Sequence, residues 1–178
     1  MTADELKALI RTIPDFPKAG ILFRDVTTLI GHGAGFQAAV AMLAERAIAA
    51  GADAVAGIEA RGFIFGAAVA ARLGQPFVPV RKPGKLPVPV LAIDYALEYG
   101  TDTLEVDPGA VADGQRVVVI DDLIATGGTA LAAVELLRRA GAAVPAALFL
   151  VDLPDLGGAD RLRAADLDVA ALMQFEGH

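Results

Sequence analysis

The chain is expected to fold as an α/β protein, a parallel central sheet flanked by helices, and three observations lead there. Short runs such as Ala54 to Ile58, Arg116 to Ile120 and Ala146 to Asp152 are apolar with almost no polar break, as in strands buried on both faces. Segments with helical spacing of apolar residues alternate with these runs, the pattern of a sheet covered by crossover helices. Glycines close two of the helical segments, at Gly51 and Gly74. With 178 residues, the sequence reads as one domain, residues 1–178, large enough for a substantial core without staples.

The elements follow in order. Thr2 with Glu5 makes a capping box, and Leu6, Leu9, Ile10 and Ile13 form one helical face that Pro14 ends. From Asp15 to Gly35 the pattern is irregular, with Pro17, Gly20, Gly31, Gly33 and Gly35, which predicts a long structured loop of the kind that often carries function. Phe36 to Ala50 is helical, Ala54 to Ile58 a buried strand, Gly62 to Leu73 a helix closed by Gly74, and Phe77 to Arg81 the next strand. Tyr95 to Val106 reads as extended, with a hairpin to the preceding segment as the alternative. The strand Arg116 to Ile120, a helical pattern from Ala130 to Ala140, and strands Ala146 to Asp152 and Asp168 to Met173 complete the series. No repeat, low-complexity tract or linker interrupts it.

Composition narrows the function classes. The net charge of −7 argues against sequence-independent nucleic-acid binding, which needs a basic face. No apolar run approaches the roughly 20 residues of a membrane span, and the first residues are acidic where a signal peptide would be basic, so a soluble cytoplasmic protein is expected. There is no Cys and hence no disulfide. Ala and Val make up much of the 55% hydrophobic content, which allows an apolar face for a partner subunit.

The most informative stretch runs from Val117 to Thr129: Val-Val-Val-Ile-Asp-Asp-Leu-Ile-Ala-Thr-Gly-Gly-Thr. A buried strand feeds a helix through a polar turn. There Gly127 and Gly128 allow close approach of the backbone, and the helix beginning near Thr129 points unpaired N–H groups and a positive dipole end at a ligand. Ala125 to Thr129 therefore read as an anion cradle. Asp121 and Asp122 cannot serve the same anion, because like charges repel, but carboxylates accept hydrogen bonds well from a vicinal diol. Phosphate at one end and hydroxyls at the other describe a ribose 5-phosphate. A Walker-type loop is excluded, since no Lys follows the glycines. A plain strand-to-helix turn would account for any one of these residues, but not for two adjacent acids followed by Ala-Thr-Gly-Gly-Thr.

Two further strand ends add cations. Arg61, in the turn after Ala54 to Ile58, supplies a planar, always-charged donor, although taken alone it would be a surface or salt-bridged Arg. Arg81-Lys82-Pro83-Gly84-Lys85 places three cations within five residues of an otherwise acidic chain, and Pro83 and Gly84 shape a loop rather than merely spacing the charges. In parallel sheets ligands sit at the carboxyl ends of strands, so these groups are expected to converge. His32 and His178 are isolated and receive no role.

The stretch from Val117 to Thr129 resembles the phosphoribosyl-pyrophosphate motif of the type I phosphoribosyltransferases. Further blocks resemble the adenine phosphoribosyltransferases of that family: Asp15-Phe16-Pro17-Lys18, Gly20 to Asp25, Gly57 to Phe63, Arg81 to Pro87 and Tyr95-Ala96-Leu97-Glu98-Tyr99-Gly100, which together span most of the chain from Asp15 to Phe175. One departure is Val88-Pro89, where the family pattern has Gly-Pro. The resemblance implies a hood contributed by about 15–35, with Leu22, Phe23 and Arg24 over the base, Phe23 stacking on it and the neighbouring backbone reading its edge. It implies that Arg61, Arg81, Lys82 and Lys85 face pyrophosphate and that Asp121 and Asp122 lie under the ribose hydroxyls. Ala125, Thr126, Gly127, Gly128 and Thr129 would wrap the 5-phosphate. Glu98 would act in catalysis from a mobile loop, and Tyr99 would join the substrate contacts. Magnesium is expected mainly through substrate oxygens and water, with adenine and phosphoribosyl pyrophosphate as substrates, AMP and pyrophosphate as products, and a homodimer as the assembly. The alternatives are a hypoxanthine, guanine or xanthine transferase and a non-catalytic sensor of phosphoribosyl pyrophosphate. The sequence shows no basic or helix-turn-helix stretch that a transcriptional sensor would need.

Overall fold

A computed structural model describes residues 1–97 and 100–177. Its centre is a five-stranded sheet built from β3 (Ala54–Ile58), β4 (Phe77–Val80), β7 (Val117–Ile124), β8 (Ala146–Asp152) and β9 (Asp168–Gln174). The order is β4-β3-β7-β8-β9, and every pairing is parallel. Every residue of β3 and β8 is buried, which is why their sequences lack polar alternation. Successive residues still divide between two cores. Val117 and Val119 pack with α5 (Gly128–Arg139) and α6 (Gly158–Arg163), while Val118 and Ile120 pack with α3 (Gly33–Ala49) and α4 (Arg61–Leu73). The expected sheet covered on both faces is therefore present.

The N-terminal region departs from its periodicity. The capping box forms, with Glu5 N–H donating to Thr2 Oγ1 at 3.2 Å and Thr2 N–H donating to Glu5 Oε2 at 2.8 Å, but α1 spans only Ala3–Ala8. Leu6 and Ile10 are buried as a helical face requires, whereas Ile13 belongs to a strand, β1 (Arg11–Pro14). That strand pairs antiparallel with β2 (Leu22–Asp25), placing Ile13 opposite Phe23. The segment expected as one irregular loop from Asp15 to Gly35 thus contains β2, a short α2 (Thr27–Ile30) and the first turn of α3. Contacts distant in sequence override the local pattern here. Arg11 and Asp25 form an ion pair at 2.5 Å, and Thr28 Oγ1 accepts from Arg11 N–H at 3.3 Å while donating to the Leu9 carbonyl at 2.6 Å.

Hydrogen bonds from the Thr27 side chain and from Arg11 hold the Asp25 carboxyl down at about 2. A depressed folded-state value gives stability that is fully present above the ordinary carboxylate range and is lost as pH falls towards 2. Asp25→Asn is therefore expected to cost about 1–2 kcal/mol at neutral pH, after discounting for solvent screening of the half-exposed Arg11. In urea titrations at several pH values the gap to wild type should narrow below pH 4. A gap that stays constant across that range would contradict the assignment.

Further corrections concern the hairpin and the motif strand. Tyr95 to Val106 is not one extended segment, and the alternative of a hairpin with the preceding segment holds, Leu91 to Asp94 pairing with Thr103 to Val106. β5 (Leu91–Ala96) and β6 (Thr101–Val106) pair antiparallel, with Ala96 opposite Thr101, so the chain turns inside it. β7 continues to Ile124 and carries Asp121 and Asp122 within the strand, and α5 begins at Gly128. Helix α6 had no counterpart among the expected elements. Among the described residues no helix is long and apolar enough to cross a membrane.

Candidate active site

The carboxyl ends of β3, β4 and β7 open into one cleft of about 290 Å³. β7 supplies Asp121, Asp122 and the loop that follows, including Ala125, Thr126, Gly127, Gly128 and Thr129; the turn after β3 supplies Arg61, and the segment after β4 supplies Lys82. Gathering by strand ends is what a parallel sheet imposes, because the crossover helices return every chain to the opposite edge.

The turn expected to cradle an anion is built by backbone. Gly127 is the N-terminal cap of α5 at φ 78°, a left-handed conformation, and no side chain caps the helix, so its first N–H groups face the cleft unspent. Space enforces glycine as well. A Cβ at Gly127 would lie 2.9 Å from the Gly158 carbonyl oxygen, and one at Gly62 would lie 2.8 Å from Asp121 Oδ1. α4 can approach β7 that closely only because residue 62 has no side chain.

The two carboxylates occupy different environments. Asp122 is buried and accepts a short hydrogen bond from Arg61 Nε. Burial first, and then the charge of Asp122, push the Asp121 carboxyl well above its usual range. Burial alone would lower the Arg61 guanidinium, but the bond to Asp122 and the charges of Asp122, Asp121 and Asp25 raise it. Arg61 is thus salt-bridged within the site while its side chain stays half exposed, leaving guanidinium donors for a ligand.

The cation loop splits three ways. Lys82 lines the cleft, and its ammonium bonds Asp102 and the Tyr95 hydroxyl, the latter at 3.0 Å. Arg81 turns onto Glu59, donating from Nε and Nη2 at 3.2 Å each, and its guanidinium sits 5.8 Å from the Phe63 ring centre. Glu59 also accepts from Lys82 N–H at 2.9 Å, and the Arg81 bond holds its carboxyl below the usual range. Lys85 is exposed, and its carbonyl accepts from Arg81 Nη1 at 3.4 Å. Neither Arg81 nor Lys85 lines the cleft.

Leu22, Phe23 and Arg24 lie on β2, apart from the cleft lining. The Phe23 ring meets Phe16 edge-on at 5.1 Å. The Arg24 guanidinium donates to Thr12 Oγ1 at 2.7 Å and to the Glu176 carbonyl at 2.8 Å, and stacks 4.7 Å from the Phe175 ring centre. Burial lowers its proton affinity, and its side chain serves to pin the C-terminal segment against the ribbon. With the Arg24 side chain committed in this way, polar recognition from β2 falls to its backbone. In a two-stranded ribbon one edge of β2 is unpaired, so alternate N–H and C=O groups point outwards.

Glu98, Tyr99 and His178 lie outside the described residues. Leu97 and Gly100, which flank the first two, are joined by a hydrogen bond from Leu97 N–H to the Gly100 carbonyl at 3.0 Å. A second hollow of about 400 Å³ lies between Ala96 and Leu97 of the hairpin and the loop at 125–129. Three residues of the site were not expected. Glu59 and Tyr95 lay inside blocks that carried the resemblance, whereas Asp102, a polar residue in a half-exposed strand, gave no signal. Among the described residues no three His, Cys, Asp or Glu side chains gather to hold a metal by themselves. Asp121 and Asp122 place hard oxygens in the cleft, surroundings that fit a magnesium ion held mainly by substrate oxygens and water.

A model of the phosphoribosyl transferase domain matches residues 28–161. The adenine phosphoribosyltransferase of Novosphingobium aromaticivorans is 70% identical over 178 residues, the full length of both chains. The chain belongs to the adenine phosphoribosyltransferase family. Solved structures agree with this over nearly the whole chain. The adenine phosphoribosyltransferase of Thermoanaerobacter pseudethanolicus superposes with a TM-score of 0.92 at 48% identity, covering 98% of this chain and 100% of that one. The Saccharomyces cerevisiae enzyme, crystallised with an imino-altritol bisphosphate and adenine, gives 0.91 at 37% identity, covering 96% of this chain and 98% of that one. The expected family and fold class are thereby established.

Proposed function

We propose that the cleft binds 5-phosphoribosyl 1-pyrophosphate and transfers its phosphoribosyl group to N9 of adenine, giving AMP and pyrophosphate. Family membership along the full chain supports the reaction, and one observation carries the site. β7 delivers a carboxylate pair and an uncapped helix N-terminus to the same cleft as Arg61 and Lys82. Asp121 and Asp122 then hold the ribose diol, residues 125–129 hold the 5-phosphate, and Arg61 and Lys82 face the pyrophosphate. Arg81 and Lys85 contribute longer-range positive potential. The base lies under the hood of about 15–35, against Leu22, Phe23 and the backbone of Arg24, within a single domain spanning 1–178.

The bond from ribose C1 to pyrophosphate oxygen breaks, C1 becomes oxocarbenium-like, and N9 of the base closes on it. No covalent nucleophile is needed, and the protein contributes position and charge. Cations hold the departing pyrophosphate, Glu98 manages the proton of the purine imidazole ring, and the hood and the segment after Pro83 exclude water from C1. A magnesium ion held mainly by substrate oxygens and water beside Asp121 and Asp122 would supply neutralisation of pyrophosphate charge. The location is cytoplasmic and the assembly a homodimer, for which exposed Ile48, Ile64 and Val88 offer apolar surface.

Wild type should form AMP and pyrophosphate in equal amounts. Each diol contact, being charge-assisted, is worth about 1.5–3 kcal/mol, so Asp121→Asn and Asp122→Asn should each lower kcat/KM for phosphoribosyl pyrophosphate by roughly one to two powers of ten with the fold intact. Wild-type kinetics in both variants would remove the diol assignment. Failure of the wild type to form product from any base would favour a sensor instead.

A further inference from the structure

Lys82 reaches the cleft from the loop after β4, but its ammonium is held by the hairpin. Asp102, on β6, accepts from Nζ; the Tyr95 hydroxyl, on β5, accepts from Nζ at 3.0 Å and donates to the same Asp102 oxygen at 3.0 Å. The other oxygen of Asp102 accepts from Thr103 N–H at 2.8 Å, so the carboxylate is fixed on both sides. The loop and β6 are tied as well. Arg81 and Glu105 exchange two backbone hydrogen bonds of 2.8 Å, and Gly84 N–H donates to the Glu105 carboxylate at 3.0 Å. Across the triangle, Thr129 Oγ1 of the phosphate loop lies 3.5 Å from the Tyr95 hydroxyl.

We infer that Asp102 is a positioning residue for the proposed reaction, fixing the Lys82 ammonium at the cleft wall so that its remaining N–H meets the pyrophosphate group. The inference rests on the assignment of Lys82 to pyrophosphate made above. A lysine on its own carries a flexible stem, and ordering it on a ligand costs rotamer entropy at the moment of binding. An ammonium has three donors. Two are spent on Asp102 and Tyr95, which leaves one for a phosphate oxygen without breaking either anchor. Burial alone would lower the proton affinity of Lys82, but Asp102 and Tyr95 together raise it, keeping the cation charged for an anionic ligand. Were Asp102 instead a competitor for Lys82, its removal would strengthen pyrophosphate binding, and the two readings predict opposite signs.

The experiment is steady-state kinetics with pyrophosphate product inhibition on Asp102→Ala, Asp102→Asn, Lys82→Ala and the double variant Asp102→Ala/Lys82→Ala. Asp102→Ala should raise KM for phosphoribosyl pyrophosphate and the pyrophosphate inhibition constant about tenfold, a typical size for one lost preorganised contact, with KM for adenine unmoved. Asp102→Asn, whose amide oxygen still accepts from Lys82, should recover part of the loss and guards against a folding defect in the alanine variant. In the Lys82→Ala background Asp102→Ala should add nothing. Tighter or unchanged pyrophosphate inhibition in Asp102→Ala, or a penalty that persists in full without Lys82, overturns the inference alone. Unchanged kinetics in Lys82→Ala overturn the assignment of Lys82 and the inference with it.

Discussion

Adenine is expected to be converted to nucleotide about ten-thousandfold more efficiently than hypoxanthine when each is supplied with phosphoribosyl pyrophosphate and magnesium. The two bases differ at the six-position, where adenine presents an amine donor and hypoxanthine a carbonyl acceptor. β2 sits at the edge of a two-stranded ribbon, so part of its backbone from Leu22 to Asp25 is unpaired and can meet the base edge. The Arg24 side chain is committed to Thr12, Glu176 and Phe175, which leaves main-chain groups as the readers. A backbone carbonyl cannot change from acceptor to donor. Facing the hypoxanthine carbonyl, it would be buried against another acceptor, and that mismatch is far costlier than loss of a contact exposed to water. The measurement is kcat/KM for adenine, hypoxanthine and guanine, one base at a time. Comparable rates with hypoxanthine or guanine would sink the adenine assignment while sparing the ribose-phosphate site.

Replacing Glu98 by alanine should lower turnover about a hundredfold or more, with much smaller changes in KM for either substrate. The purine must give up its imidazole-ring proton as N9 bonds to C1, and a carboxylate is the group in this block able to take it. Glu98 itself is outside the described residues. The strands on either side of it in sequence, β5 and β6, pack on α5, and a Cβ on Gly128, the first residue of α5, would lie 3.4 Å from the Ala96 carbonyl oxygen. Single-turnover measurements separate the chemical step from product release. An unchanged single-turnover rate would reduce Glu98 to a surface residue.

Parts of this molecule were written locally and could be read locally. The runs at Ala54 to Ile58 and Ala146 to Asp152 coincide with β3 and β8, because a strand buried on both faces has little freedom to carry polar residues before its carboxyl end. The helix closed by Gly74 is α4, whose C-terminal cap is left-handed at φ 65°, a conformation that favours glycine. The turn at 125–129 was legible for the same reason: two glycines between a buried strand and a helix leave few other backbone paths. Ile13 misled because spacing of three and four along a short segment fits a helix, and nothing within that segment reveals the β2 partner nine or more residues away.

The sequence by itself therefore determined the class of fold, the parallel sheet, the glycine turn that feeds α5 and the adjacent carboxylate pair, since each is encoded within a dozen neighbouring residues by periodicity, turn chemistry and burial. Tertiary structure alone decided what the charged groups do. Arg61 closes on Asp122, Arg81 on Glu59, and Lys82 on Asp102, pairs separated by 61, 22 and 20 positions. A long charged side chain has no local code for its partner, because it ends several ångströms from its own backbone. It binds whichever opposite charge the sheet and the hairpin carry within reach.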